Sequence, residues 1–255
     1  MTDPTAGPAA IQAVWAGRQP YLETWALQQA LASARRDGAV PDLLLLLEHP
    51  PTYTIGRGGS RSNLFLDDAA LAAVGATCHA IDRGGDITFH GPGQLVAYAI
   101  VDLGGAERSV RRYVEQLERT VIQTLADFEV AGAIDPAYPG VWVGVEKIAA
   151  LGIAVRRRVA YHGFALNVEP DLRYFDYMFP CGIRDRGVTS LGRRLGRAVT
   201  IDEVLPRLTA AFGAAFAREV RWDLTWEDLT DLAGPRADDA AGTAGSAETT
   251  SAVRR

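Results

Sequence analysis

Apolar residues recur three or four apart in two long stretches, and two apart or in unbroken runs elsewhere, so the period changes divide the chain into elements. In 107–131, Val110, Tyr113, Val114, Leu117, Val121, Leu125 and Phe128 fall on one stripe, which predicts an amphipathic helix. In 201–217, Val204, Leu205, Leu208, Ala211, Phe212, Ala215 and Phe216 do the same, and Thr200 with Glu203 has the spacing of a capping box. A third helix fits 20–36, and a shorter one 67–74. Strands are expected at 42–48, 52–55, 77–81, 86–89, 94–101, 140–144, 146–156 and 158–168, several of them bounded by Gly or Pro. The run 95–100 is nearly all apolar, as in a strand at the centre of a sheet. Strands in runs, broken by a few long helices, predict an α+β (mixed α/β) fold, and the lack of regular strand–helix alternation disfavours a Rossmann or barrel fold.

Composition narrows the class. With 255 residues, 48% of them hydrophobic, the chain can bury a sizeable core. No composition break interrupts the middle, so one domain is expected over 11–232. Before it, 1–10 reads as a mobile arm. After it, 233–255 is rich in Ala, Gly, Ser and Thr without aromatics and reads as a disordered tail. The net charge of −5 argues against nucleic acid as an electrostatic partner. No apolar run is long enough for a membrane span, and the N-terminus lacks a basic start and an apolar signal core. Two cysteines, Cys78 and Cys181, do not make a disulfide framework, and no C-x-x-C or H-x-x-x-H spacing points to zinc. A cytoplasmic protein with reduced thiols and no metal is the expectation.

Four segments carry candidate chemistry. RGGDITFHGPGQLV, 83–96, has paired glycines that let a backbone approach closely, with Arg83 and His90 suited to a polar group. A Gly-rich hairpin with a surface arginine accounts for it equally well, and it is not a phosphate loop. PGVWVGVEKIAALGIAV, 139–155, is apolar apart from Lys147 and the Gly144–Glu146 turn region, so Lys147 either snorkels to solvent or is kept for its charge. In YHGFALNV, 161–168, period-two alternation puts Gly163 and Ala165 on one face, leaving room for a ligand or for a packed helix.

The fourth is FPCGI. Cys181 sits between a proline and a glycine, not in an apolar run, and Gly182 leaves its backbone N–H approachable as an oxyanion donor. A thiol with a reference pKa of about 8.5 is only a few per cent thiolate near pH 7, so a reactive cysteine needs a nearby cation. Lys147 and His162 are the candidates. Cys78, among small and apolar residues, fits a structural role.

In this order, LLLLLEHPPTYTIGR, RGGDITFHGPGQLVAYAIVDL, PGVWVGVEKIAALGI, HGFALNV, PCGI and VTSL resemble the lipoyl(octanoyl) transferase family from about residue 43 to 191. The resemblance implies one domain related to biotin and lipoate protein ligases, with a mixed sheet flanked by helices. It implies octanoyl transfer from octanoyl-acyl carrier protein to a lysine of lipoyl domains, those of 2-oxoacid dehydrogenases and the glycine cleavage H protein, without nucleotide or other cofactor. Cys181 is then the acyl-accepting nucleophile and Lys147 the group that lowers its pKa. The substrate-binding residues implied are Arg83, Gly84, Gly85, Asp86, Ile87, Thr88, Phe89 and His90, with Ala150, Leu151 and Gly152, and with Gly163, Phe164 and Ala165. Asp86 and Phe89 depart from the family, which often has glutamine and tyrosine there. Two other readings stand beside this one: an ATP-dependent lipoate or biotin-type ligase on the same scaffold, and a non-catalytic lipoyl-domain binder.

Overall fold

The computed structural model describes residues 10–104, 109–179 and 186–233. Cys181, and the expected arm and tail apart from Ala10 and Ala233, lie outside the described residues. The elements are β1 (Ile11–Arg18), α1 (Tyr21–Arg36), β2 (Leu43–Glu48), β3 (Thr52–Ile55), α2 (Asp68–Ala73), β4 (Thr77–Ala80), β5 (Ile87–His90), β6 (Gln94–Asp102), α3 (Val110–Ala126), β7 (Ala133–Asp135), β8 (Tyr138–Val143), β9 (Glu146–Arg156), β10 (Val159–Asn167), β11 (Gly187–Val188), α4 (Leu191–Leu195), α5 (Ile201–Phe216), β12 (Val220–Arg221) and α6 (Trp226–Leu232).

The expected helices and strands all form, with ends that local chemistry sets. At the start of α5 the Thr200 hydroxyl and Glu203 cap each other reciprocally, and Ala217 in a left-handed conformation stops it. The helix expected over 107–131 ends at Ala126 because Glu129 turns left-handed, with its N–H on the Ala126 carbonyl. Phe128 still reaches the core beyond that end. Between β8 and β9, Gly144 at φ 63 starts a two-residue turn with Val145, and Glu146 already pairs with Val143. β1, β7, β11, β12, α4 and α6 were not expected from the pattern.

A large mixed sheet runs in the order β12-β1-β2-β6-β10-β9-β8-β7, with β11 also paired to β9. β1 is parallel to β2 and β12, and β11 is parallel to β9; the other pairs are antiparallel. β6 is central and buried almost throughout, as its apolar run predicts. One face of this sheet packs Leu44, Leu46, Ala97, Phe164 and Leu166 against α3 and α5 through Tyr113, Leu117, Val121, Leu208 and Phe212. The other face carries Leu45, Leu47, Val96, Tyr98 and Ala165 and is covered by α1 and α6 through Leu27, Leu31 and Leu229. A second sheet, β4-β3-β5, has its own core of Tyr53, Ile87, Phe89, Phe175 and Met178. Half-buried Cys78 packs against that core. Among the described residues no helix is long and apolar enough to cross a membrane.

Candidate active site

Where the α1 face of the large sheet meets the small sheet, a cleft with about 840 Å³ of free space remains, part of it open to solvent. Strand register explains its floor. Val96 on β6, Ala165 on β10 and Ala150 on β9 lie in one row, and Tyr98, Gly163 and Gly152 in the next. Two of these three strands therefore present only methyl groups or hydrogens, and the floor is a shallow apolar slot. Gly163 also belongs to the backbone packing, since a Cβ there would lie 2.2 Å from the Ala97 carbonyl oxygen.

The 83–86 loop forms one wall because glycines let two backbones meet. A Cβ on Gly56 would stand 2.5 Å from the Gly85 oxygen, and the N–H groups of Arg57 and Gly58 donate to the carbonyls of Arg83 and Gly85. Arg83 folds back over Gly152 and donates from Nη2 to the Thr54 carbonyl and hydroxyl, at 2.6 and 2.9 Å. Asp86 accepts from Asn63 at 2.8 Å and from the Ile87 N–H at 2.7 Å.

From Arg83 a hydrogen-bonded chain runs along the slot and fixes the state of His90. Gln94 spends its amide hydrogens on the Phe89 carbonyl (3.0 Å) and on Asn167 Oδ1 (2.9 Å), so its oxygen faces His90 Nδ1 at 2.8 Å. His90 therefore carries its proton on Nδ1, and Nε2 accepts from the Thr54 hydroxyl at 3.3 Å. Burial, together with His49 and Arg83, drives the His90 pKa well below its ordinary value. A neutral imidazole bonded on both sides holds geometry and does not exchange protons near pH 7. The chain ends with Asn167 Nδ2 donating to the Thr189 carbonyl at 3.0 Å.

Tyr161 and His162 break the expected alternation. In a regular strand, neighbours point to opposite faces. Here His162 has φ 60, and the Tyr161 hydroxyl and His162 Nε2 (2.9 Å) both bond to Asp82, which also accepts from Trp25 Nε1 at 2.9 Å. Burial opposes the Asp82 charge, but His162, Tyr161 and Trp25 hold its carboxyl well below the usual range. Burial pushes His162 below its ordinary pKa although Asp82 pulls the other way. The pair is a neutral imidazole donating to a carboxylate. A non-glycine residue with positive φ in a strand is strained, and such strain concentrates at functional sites.

Lys147 stands at the other end of the slot. It is 8% exposed, its Nζ lies 4.9 Å from the Trp142 ring centroid, and its stem runs against Gly140. It points into the cleft and does not snorkel to bulk water. Past the end of β10, β11 takes up the edge of β9, pairing Val188 with Lys147, and the Thr189 N–H donates to the Lys147 carbonyl at 2.9 Å. β11 follows directly on the segment that holds Cys181. Before that segment, Met178 bridges to Leu64 and the Phe179 N–H donates to the Asn63 carbonyl. Met178 and Val188, on either side of it, both line the cleft.

The cleft thus brings together Lys147 with Arg83, Gly85, Asp86, Ile87, Thr88 and His90, and with Ala150, Leu151, Gly152, Gly163, Phe164 and Ala165. Leu151 and Phe164 send their side chains to the core of the opposite face. Two anticipated residues are not in the lining. Gly84 donates its N–H to the Ile153 carbonyl and pins the loop to β9. Phe89 points into the small sheet, where it stacks on Tyr174 at 4.5 Å, so its departure from tyrosine falls outside the slot. Tyr21, Gln94, Tyr98, His162 and Asn167 also line the cleft and were not anticipated as substrate-binding residues. Of these the sequence singles out only His162, as a possible cation for the Cys181 thiolate, whereas the structure makes it a buried imidazole donating to Asp82 with its pKa lowered by burial. Among the described residues no cluster of three or more metal-binding side chains occurs.

Comparison with known proteins gives one picture. The family model of the lipoyl protein ligase A/B catalytic domain matches residues 20–213. An octanoyltransferase of Rubrobacter xylanophilus is 48% identical over 198 residues, covering 77% of this chain and 89% of that one. One of Myxococcus xanthus is 46% identical over 209 residues, covering 80% of this chain but 58% of that protein. In structure, a lipoate-protein ligase A bound with ATP superposes with a TM-score of 0.73 at 18% identity, covering 88% of this chain and 93% of that one. The biotin protein ligase of Aquifex aeolicus with biotin and ATP is more distant, with a TM-score of 0.50 at 14% identity, covering 81% and 70%. At such identities the structures speak for the fold alone.

Proposed function

Since the chain belongs to the lipoyl protein ligase A/B catalytic domain family, as one of its octanoyltransferases, we propose that it moves an octanoyl group from octanoyl-acyl carrier protein to a lysine of lipoyl domains, through a thioester on Cys181. The observation that carries this reading is the apolar slot with the Lys147 ammonium at one end. Burying an alkyl chain contributes about 0.8 kcal/mol per methylene, so an octanoyl tail supplies roughly 5 kcal/mol of binding before entropy costs. The acceptors are lipoyl domains of 2-oxoacid dehydrogenases and the glycine cleavage H protein.

In the first half-reaction, the Cys181 thiolate attacks the carrier thioester, backbone N–H groups hold the oxyanion, and the C–S bond to the carrier breaks. The departing thiolate takes a proton from the Lys147 ammonium. In the second, the acceptor amine attacks the acyl-enzyme and gives its proton to the now neutral Lys147. The C–N bond forms, and Cys181 leaves as thiolate beside a restored ammonium. Arg83 and His90 hold the slot wall and carry no proton in this scheme. A thiol stays reduced in a compartment such as the cytoplasm, where we place this reaction.

ATP-free transfer is the test. With octanoyl carrier protein and a lipoyl domain, octanoylation of the domain is expected to proceed at an unchanged rate in the absence of ATP and magnesium. Strict dependence on ATP points instead to a ligase that activates free octanoate. Binding of either protein with no transfer under any condition leaves the non-catalytic binder.

A further inference from the structure

The slot is apolar only in its middle. Near Lys147, Gln94 and Asn167 face each other across β6 and β10; four residues along, Tyr98 pairs with Gly163. At about 3.4 Å per residue these rows are roughly 14 Å apart, and the row between them holds only Val96, Ala165 and Ala150. An extended octanoyl chain, with C–C bonds of about 1.5 Å, measures roughly 9 Å from carbonyl to terminal carbon, so with its methyl radius it fills this interval.

The far row closes the slot. In the far row the partners on β10 and β9 are glycines, and the Arg83 side chain already lies over Gly152. Tyr98 supplies the bulk. Its hydroxyl donates to His49 Nε2 at 2.8 Å, because His49 Nδ1 is committed to the Gln19 carbonyl at 2.7 Å. Its ring stands edge-on to His162 at 6.0 Å, and Tyr21 closes the same end, also lining the cleft. His162 Nδ1 is buried there without a hydrogen-bond partner. A chain that reached further would press methylenes against desolvated polar groups and gain no apolar surface.

We infer that Tyr98, backed by Tyr21 and His162, is a specificity-determining stop that sets the longest acyl chain the slot accepts. The inference rests on reading the slot as the acyl site. It differs from the family-implied binding residues in that none of these three belongs to that set.

The test measures binding of saturated fatty acids of six to fourteen carbons to the full chain by titration calorimetry, which needs no catalysis. Wild-type affinity is expected to rise about fourfold per methylene up to eight carbons, and to be about tenfold lower or more at twelve. Tyr98→Leu should move the optimum to ten or twelve carbons and raise the dodecanoate-to-octanoate ratio about tenfold or more. Tyr21→Leu opens the same end from the helix side and should shift the ratio in the same direction; it decides the matter if Tyr98→Leu does not fold. An optimum left at eight carbons in the folded variants overturns the stop, and so does a wild-type protein that binds no fatty acid. Length-tuned binding without transfer from a carrier protein sinks the catalytic reading and leaves the stop standing.

Discussion

Cys181→Ala is expected to abolish octanoyl transfer, and Lys147→Arg to keep the reactive thiolate while stalling turnover. Both expectations follow from the proposed division of work between a sulfur that carries the acyl group and an amine that handles protons. Removing an enzyme's nucleophile costs roughly 10³–10⁶ in turnover, because no other group can take its place in the covalent step. The lysine substitution is the more discriminating of the two. Lys147 is almost fully buried between Trp142 and Gly140, so its charge acts close by and is little screened. Arginine retains the charge, but its guanidinium does not release a proton near neutrality. Alkylation of Cys181 by iodoacetamide at pH 7 should therefore stay within about threefold of wild type, while transfer falls by roughly 10²–10⁴. Lys147→Met should lose both, with the alkylation profile moving toward the ordinary thiol pKa of about 8.5. Equal loss of alkylation and transfer in Lys147→Arg would mean that the lysine's geometry, and not its proton, is what the reaction uses.

Acidification below about pH 6.5 should progressively destabilise this protein. His49, His90 and His162 are all buried, and burial lowers the pKa of each, His49 to about 4. Half-buried His79 shifts the same way. In the unfolded chain each titrates near its ordinary value of about 6.5. Below that pH the unfolded state binds protons that the folded state refuses, so stability is complete above about 6.5 and is lost as pH falls toward the folded values. Each such histidine, while it stays neutral in the fold and is charged in the unfolded chain, contributes a slope of up to about 1.4 kcal/mol per pH unit. Against a typical domain stability of about 5–15 kcal/mol this is a large term. Glu118, pushed up by burial, acts in the opposite direction as a single group. Urea unfolding at pH 7, 6 and 5 measures the slope directly. Constant stability over that range would mean that the imidazoles charge within the fold, and that the hydrogen-bond polarity argued for His90 is wrong.

Periodicity made the central architecture legible because its strands and helices are long and bury one continuous face. It failed where an element exists only through its partner. β1 mixes Ala, Gly, Gln and Arg among its apolar residues and becomes a strand by lying parallel to β2. β11 and β12 are two residues each and are defined by the edges they join. The site divides in the same way. Its small-residue floor was readable as alternation along β10, and Lys147 stood out as a charge in an apolar run. The polar end was not readable, since Tyr21, Asp82, Tyr98 and His162 come together only when α1, the 82–86 loop, β6 and β10 converge. The left-handed backbone at His162, which points two successive rings at one carboxylate, leaves no trace in a hydrophobic pattern.

The most direct measurement is the mass of the intact protein after brief exposure to octanoyl carrier protein without an acceptor, followed by peptide mapping. The account predicts a mass gain of one octanoyl group, located on Cys181, labile to hydroxylamine, and discharged when a lipoyl domain is added. An unmodified protein that nonetheless octanoylates the lipoyl domain, or an adduct on any other residue, would contradict it.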